Sequence, residues 1–119
     1  MDGPAKGFLR TATTDRHLAG VEVRAGDRLR AMMTSANRDD AAFADADRFD
    51  IFRRDSRAHL GFGHGIHFCA GAALARLHGR VALEVLSARL PSLRLEPDRQ
   101  LRYEPNANLR ILAELPVEW

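Results

Sequence analysis

The segment Leu60-Gly-Phe-Gly-His-Gly-Ile-His-Phe-Cys-Ala-Gly71 constrains this chain more than any other. Glycines at 61, 63, 65 and 71 punctuate it, it carries the chain's single cysteine, Cys69, and it runs straight into a long helical pattern. Gly63 and Gly65 can take positive φ, which bends a loop tightly and lets the backbone come close to a bulky flat partner. The free N–H groups of a helix starting near Gly71 point back toward the sulfur and favour its anionic form. A thiolate so placed serves as a metal ligand or a nucleophile. Phe62 and Phe68 flank the loop and would keep water from the sulfur, as an apolar shell does around a metal-bound thiolate. His67, two residues before Cys69, is placed to face an anionic group.

Other readings of these residues exist. A free cysteine is commonly a small buried hydrophobe. His64, His67 and Cys69, with His59 and His78 near in sequence, can also be read as a zinc cluster. Structural zinc sites use paired ligands at regular spacing and four firm donors, whereas His78 falls along the helical pattern and the glycines have no part in such a site.

The string Phe62-Gly-His-Gly-Ile-His-Phe-Cys-Ala-Gly71, followed by Ala72-Ala-Leu-Ala-Arg76, resembles the heme-binding signature of the cytochrome P-450 monooxygenases in its soluble bacterial form. Aromatic, glycine, histidine, cysteine and glycine positions all fall at the family spacing. The resemblance extends over nearly the whole chain. Gly7-Phe-Leu-Arg-Thr-Ala-Thr-Thr-Asp15 resembles the family strand that carries an arginine, here Arg10, toward a heme propionate. Ala36-Asn-Arg-Asp39 and Asp47-Arg-Phe-Asp50 resemble the segments between that sheet and the heme loop, and residues 108–119 are similar to the usual C-terminal strand.

The resemblance implies heme b (iron protoporphyrin IX) as cofactor, with Cys69 as the axial thiolate and metal ligand. A thiolate pushes electron density onto the iron and favours O–O cleavage. It implies cofactor-binding roles for Arg10, Phe62, Gly63, Gly65, His67, Cys69 and Gly71, with Arg10 and His67 on the propionates. Arginine's planar fork suits a carboxylate, although a surface or capping role is the ordinary alternative for such residues. The family reaction inserts one oxygen atom from O2 into a small organic substrate, with electrons from a reductase usually relayed by a ferredoxin-type donor. No residue here is assigned as catalytic acid or base. Arg48 resembles the arginine that closes a buried network with a glutamate and an arginine of an upstream helix. Arg76 and Arg80, four apart, read either as a solvated helix face or as a docking site for an acidic electron donor, and the resemblance favours Arg76. The sequence departs from the family pattern at Asp40, Ala44 and Ala46, where prolines are common, and at Ala70, where a larger apolar residue is usual.

Length and charge narrow the remaining possibilities. A chain of 119 residues suits one small domain, which buries only about 65% of its unfolded surface. The net charge is +2, with the bases interspersed among acids, so no nucleic-acid stripe or membrane-binding helix is expected. No run approaches the roughly 20 apolar residues of a membrane span, and no signal-peptide pattern opens the chain. One cysteine forbids an internal disulfide and fits a reducing cytoplasm.

The expected fold class is an α+β fragment of the mainly-α cytochrome P-450 fold, its C-terminal portion. Residues 1–33 form strands and a hairpin, 34–59 a short helix and meander, 60–71 the heme-ligand loop, 72–90 a long helix and 91–119 C-terminal strands. In detail, residues 1–6 read as a frayed start and Phe8–Thr13 as a strand, with a hairpin signal around Ala25-Gly26-Asp27. Thr34 or Ser35 is expected to cap a short helix over Ala36 to Arg38, and the meander to pack Phe43, Phe49 and Phe52 inward. Leu74, Leu77, Val81 and Val85 recur at helical spacing between Ala70 and Leu90, with Leu83, Leu86 and Leu90 widening the stripe, before Pro91. Two functional readings follow: part of a longer monooxygenase, or a truncated heme-binding remnant without catalytic activity of its own. The isolated chain is expected to fold poorly, because its apolar helix and strand edges lack covering layers.

Overall fold

Short apolar and β-branched runs near the amino terminus form four strands, and their partners are set by turn chemistry and length. The computed structural model describes residues 3–119; Met1 and Asp2, part of the expected frayed start, lie outside the described residues. The rest of that segment is held in place. The Lys6 N–H donates to the Asn108 carbonyl at 2.8 Å, and Ala5 forms a bridge with Leu109.

The chain divides into two units, one running up to Gly61 and taking in Ala107–Leu109, the other made of Phe62–Asn106 and Arg110–Trp119. In the first unit β1 (Gly7–Thr11) pairs antiparallel with β4 (Arg28–Met32), from Gly7 opposite Met32 to Thr11 opposite Arg28. Gly7 is required there, since a Cβ would stand 2.3 Å from the Ala31 carbonyl oxygen. Between them β2 (Arg16–Leu18) and β3 (Val21–Val23) form a hairpin of their own. Its two turn residues, Ala19 and Gly20, have φ of 48° and 83°, the pair of positive values that suits the strand twist.

The hairpin expected around Ala25-Gly26-Asp27 therefore does not form. Gly26 does turn the chain at φ 92°, but its N–H donates to the Ala12 carbonyl and the Ala12 N–H donates to that of Asp27. The turn thus hands β4 to β1, which offers five residues of pairing where β3 offers three.

The short helix α1 is Met33–Ala36, starting three residues before the expected Ala36, so Thr34 and Ser35 lie inside it and no side chain caps its first turn. Instead the Met33 N–H and the Thr34 hydroxyl both donate to the Lys6 carbonyl, at 3.0 and 3.3 Å. Asn37 ends the helix and is almost wholly buried. Its Oδ1 accepts the Leu60 N–H at 2.7 Å, satisfying a polar group that burial would otherwise penalise.

In the meander that follows, inward packing is realised at Phe43 and Ala46 only. Phe43 is 4% exposed, whereas Phe49 and Phe52 are 90% and 84% exposed, which corrects the expectation for those two rings. The segment is organised by charge. Arg38 pairs with Asp47, while Arg53 donates to the carbonyls of Ala44 at 2.8 Å and Asp45 at 2.7 Å and pairs with Asp55 at 3.3 Å. A backbone reversed around a guanidinium encloses one ring and leaves the others outside.

In the second unit the dominant element is α2, Ala72–Arg89, which lies within the predicted helical span. Only Ala72 of α2 is buried; Leu74, Leu77, Val81, Leu83, Val85 and Leu86 are exposed. β5 (Arg94–Leu95) pairs antiparallel with β6 (Val117–Glu118), reinforced by an Arg94–Glu118 ion pair at 2.9 Å. Among the described residues no helix is long and apolar enough to cross a membrane.

Candidate functional site

The loop before α2 is shaped by two glycines that do different work. Gly63 and Gly65 adopt φ of 79° and 65°, the region predicted for them and costly for residues with a Cβ. A Cβ on Gly63 would also stand 3.2 Å from the His67 carbonyl oxygen, so the loop closes over that position. Gly65 meets nothing within 4 Å, so it is needed for conformation while the space beside it stays open. Residues Gly65–His67 make one 3-10 turn, closed by the Phe68 N–H donating to the Gly65 carbonyl at 3.0 Å.

Cys69 is fixed through both its backbone groups. Its N–H donates to the Phe62 carbonyl at 2.8 Å, and its carbonyl accepts the Ala72 N–H at 3.1 Å. The cysteine is exposed, with Sγ 3.8 Å from where a Gly71 Cβ would stand. Gly71 is the N-cap of α2 and brings no side chain to the first turn, so the helix amino terminus beside the sulfur has no side-chain cap.

Two aromatic rings and one cation brace this loop. Phe62 and Phe68 lie 6.4 Å apart, tilted by 60°, and the Arg76 guanidinium sits over the Phe62 ring at 4.6 Å from its centroid. Arg80 makes a 3.8 Å pair with Glu84 one turn along α2.

Phe62, Gly63, Gly65, His67, Cys69 and Gly71 thus come together in one unit. The His67 ring is exposed and, among the described residues, has no hydrogen bond. Arg10 belongs to the other unit, exposed on β1 opposite Leu29. One of its nitrogens donates to the Leu9 carbonyl at 2.9 Å, and its guanidinium lies 5.9 Å from the Phe8 ring centroid. Arg48 has no side-chain partner among the described residues and lines a 290 Å3 cleft with Asp45, Asp50 and Arg53.

The zinc reading loses its geometry. Among the described residues no three of His, Cys, Asp and Glu gather as donors, and His59 instead accepts the Gly61 N–H through Nδ1 at 2.9 Å. The sequence reading did not find Asn37 or Arg53, and gave Arg76 no role toward the loop. Asn37 stood in a quoted motif, but its burial depends on Leu60, and nothing local marks Arg53 among its neighbouring arginines.

Comparison with known proteins shows the family of the chain. The profile of the family described as Cytochrome P-450 matches residues 4–112. Mycinamicin IV hydroxylase/epoxidase of Micromonospora griseorubida is 51% identical over 98% of this chain and 30% of its own length. Nocardicin C N-oxygenase of Nocardia uniformis subsp. tsuyamanensis is 46% identical over 98% of this chain and 29% of its own. The solved structure of cytochrome P-450 CREJ superposes with a TM-score of 0.94 at 38% identity, covering 98% of this chain and 29% of that one. The architecture is an α+β portion of the mainly-α P-450 fold. The chain belongs to the cytochrome P-450 family and spans about 30% of the length of the relatives it matches.

Proposed function

We propose that this chain is the cofactor-holding portion of a cytochrome P-450 monooxygenase. Cys69 ligates heme iron as a thiolate, and Arg10 and His67 hold the propionates of heme b. Gly63 and Gly65 shape the loop, Phe62 receives the Cys69 N–H, and Gly71 opens the helix beside the sulfur. When bound, such a heme activates O2 for insertion of one oxygen atom into an organic substrate, with electrons arriving through a ferredoxin-type donor and its reductase. The lone cysteine supports a reducing, cytoplasmic setting.

The observation that carries the proposal is the exposed Cys69 thiol, pinned through its backbone at the start of α2, on a loop whose Gly65 leaves open space beside it. Exposed Ile66 and Phe68 add apolar surface on the same loop, which suits a flat hydrophobic ring. The unpartnered His67 ring leaves its nitrogens available to a carboxylate. Replacing Cys69 by Ala should abolish the thiolate-type carbonyl spectrum of reduced, heme-loaded protein. A spectrum that survives the change overturns the assignment.

A second observation bears on where activity resides. The apolar residues Leu74, Leu77, Val81, Leu83 and Val85 of α2 and the rings of Phe49 and Phe52 are exposed. We therefore assign turnover to a longer polypeptide that covers these faces, and heme capture without turnover to the 119 residues alone. A cooperative thermal transition with substrate oxidation by the purified chain would reverse that division.

A further inference from the structure

We propose that Arg76 is a positioning residue for Cys69, holding the Phe62 ring so that the Phe62 carbonyl keeps the Cys69 backbone N–H. The functional meaning of this clamp rests on Cys69 being the heme ligand; its geometry does not.

The loop's own backbone makes that hydrogen bond, and a contact from α2 can stiffen it. The peptide joining Phe62 to Gly63 borders a residue whose backbone rotates freely for want of a Cβ, so local stereochemistry leaves the direction of the Phe62 carbonyl soft. Yet that carbonyl accepts the Cys69 N–H at 2.8 Å and closes the loop. The Phe62 ring offers a handle on that carbonyl, and Phe68 and Arg76 are among its contacts. Phe68, 6.4 Å away, belongs to the same loop and moves with it. Arg76, 4.6 Å from the ring centroid, stands on α2, a helix of 18 residues, and so refers the ring to a rigid element. Arginine suits the task because its flat guanidinium stacks on an aromatic face while its stem lies along apolar surface. Arg80, a turn further on, is paired with Glu84.

The test reads the loop through hydrogen exchange of the Cys69 amide, the donor in that bond, in the heme-free 119-residue chain. Loosening the clamp frees the backbone at Cys69 and should raise the rate about fivefold in Arg76→Met, the factor expected from losing a contact of this kind. Arg76→Lys, which keeps a cation over the ring, should stay within about twofold of the parent. Phe62→Leu should raise the rate as Arg76→Met does, and the double variant should go no further, because both changes break one contact. An unchanged rate in Arg76→Met, or additive effects in the double variant, overturns the proposal. Should Arg76→Met lose helical circular dichroism, Phe62→Leu, outside α2, decides by the same criterion. A parallel measurement on heme-loaded chains separates this proposal from the one it builds on. A thiolate-type carbonyl band retained in Cys69→Ser removes the heme assignment and leaves the amide exchange at Cys69 to judge the clamp alone. With the assignment intact, the band should weaken in Arg76→Met and recover in Arg76→Lys.

Discussion

The cysteine loop at 60–71 and the meander at 39–55 are both short and irregular, yet they are held by opposite means. The loop closes through its own backbone, with Phe62 bonded to Cys69 and Gly65 to Phe68, and with glycines at both positive-φ positions. The meander closes through side chains. Arg53 gathers two carbonyls and a carboxylate, Arg38 reaches Asp47, and Phe43 is its one buried ring. It even places a non-glycine, Asp45, at φ 49°. A backbone-closed loop presents a side chain such as Cys69 without spending it on structure. A side-chain-closed segment uses its charged residues to hold itself together.

Substitutions can break or sharpen this contrast, read as local opening through amide exchange, which suits a chain with little buried surface. The largest effect is expected at Phe43→Ala, where losing the buried ring should open the meander by about 3 kcal/mol, seen at the Phe43 and Arg48 amides. Phe52→Ala in the same segment should change exchange by less than about 0.5 kcal/mol, since that ring is already in water. Equal effects at the two phenylalanines would dissolve the distinction.

Next comes Gly63→Ala, expected to cost about 2 kcal/mol through its positive φ and the crowded His67 carbonyl, with loss of protection at the Cys69 amide. Asn37→Ala should cost about 1.5 kcal/mol by stranding the Leu60 N–H, which exchange at Leu60 would register. The smallest change is a gain. Ala19→Gly relieves a residue at φ 48° and should protect the β2–β3 hairpin amides by about 0.5 kcal/mol. Faster exchange in that hairpin would show that Ala19 is held there by something other than turn geometry.

Legibility followed the range of the contacts. Gly63, Gly65 and the helix after Gly71 could be read because each conformation is dictated by adjacent residues. The hairpin went to a different pair of strands because two turns, at Ala19-Gly20 and at Gly26, competed, and the longer β1–β4 ladder settled the outcome. Phe49 and Phe52 carried the same hydrophobic signal as Phe43, and composition cannot tell which of three rings a short charged segment will enclose. Asn37 was read only as part of a motif and Arg76 only as a helix-face or docking residue, and neither reading reached its partner. Their partners, Leu60 and Phe62, lie far away along the chain.

The amino-acid sequence by itself determined the cysteine loop: where it turns, where the helix after it begins, and which residue it offers at that junction. Steric rules over neighbouring residues suffice for that. Tertiary structure alone decided which strands pair, which phenylalanine is buried, and that Arg76 spends its charge on the Phe62 ring beside Cys69. Those outcomes depend on which distant groups meet, and local stereochemistry does not contain that information.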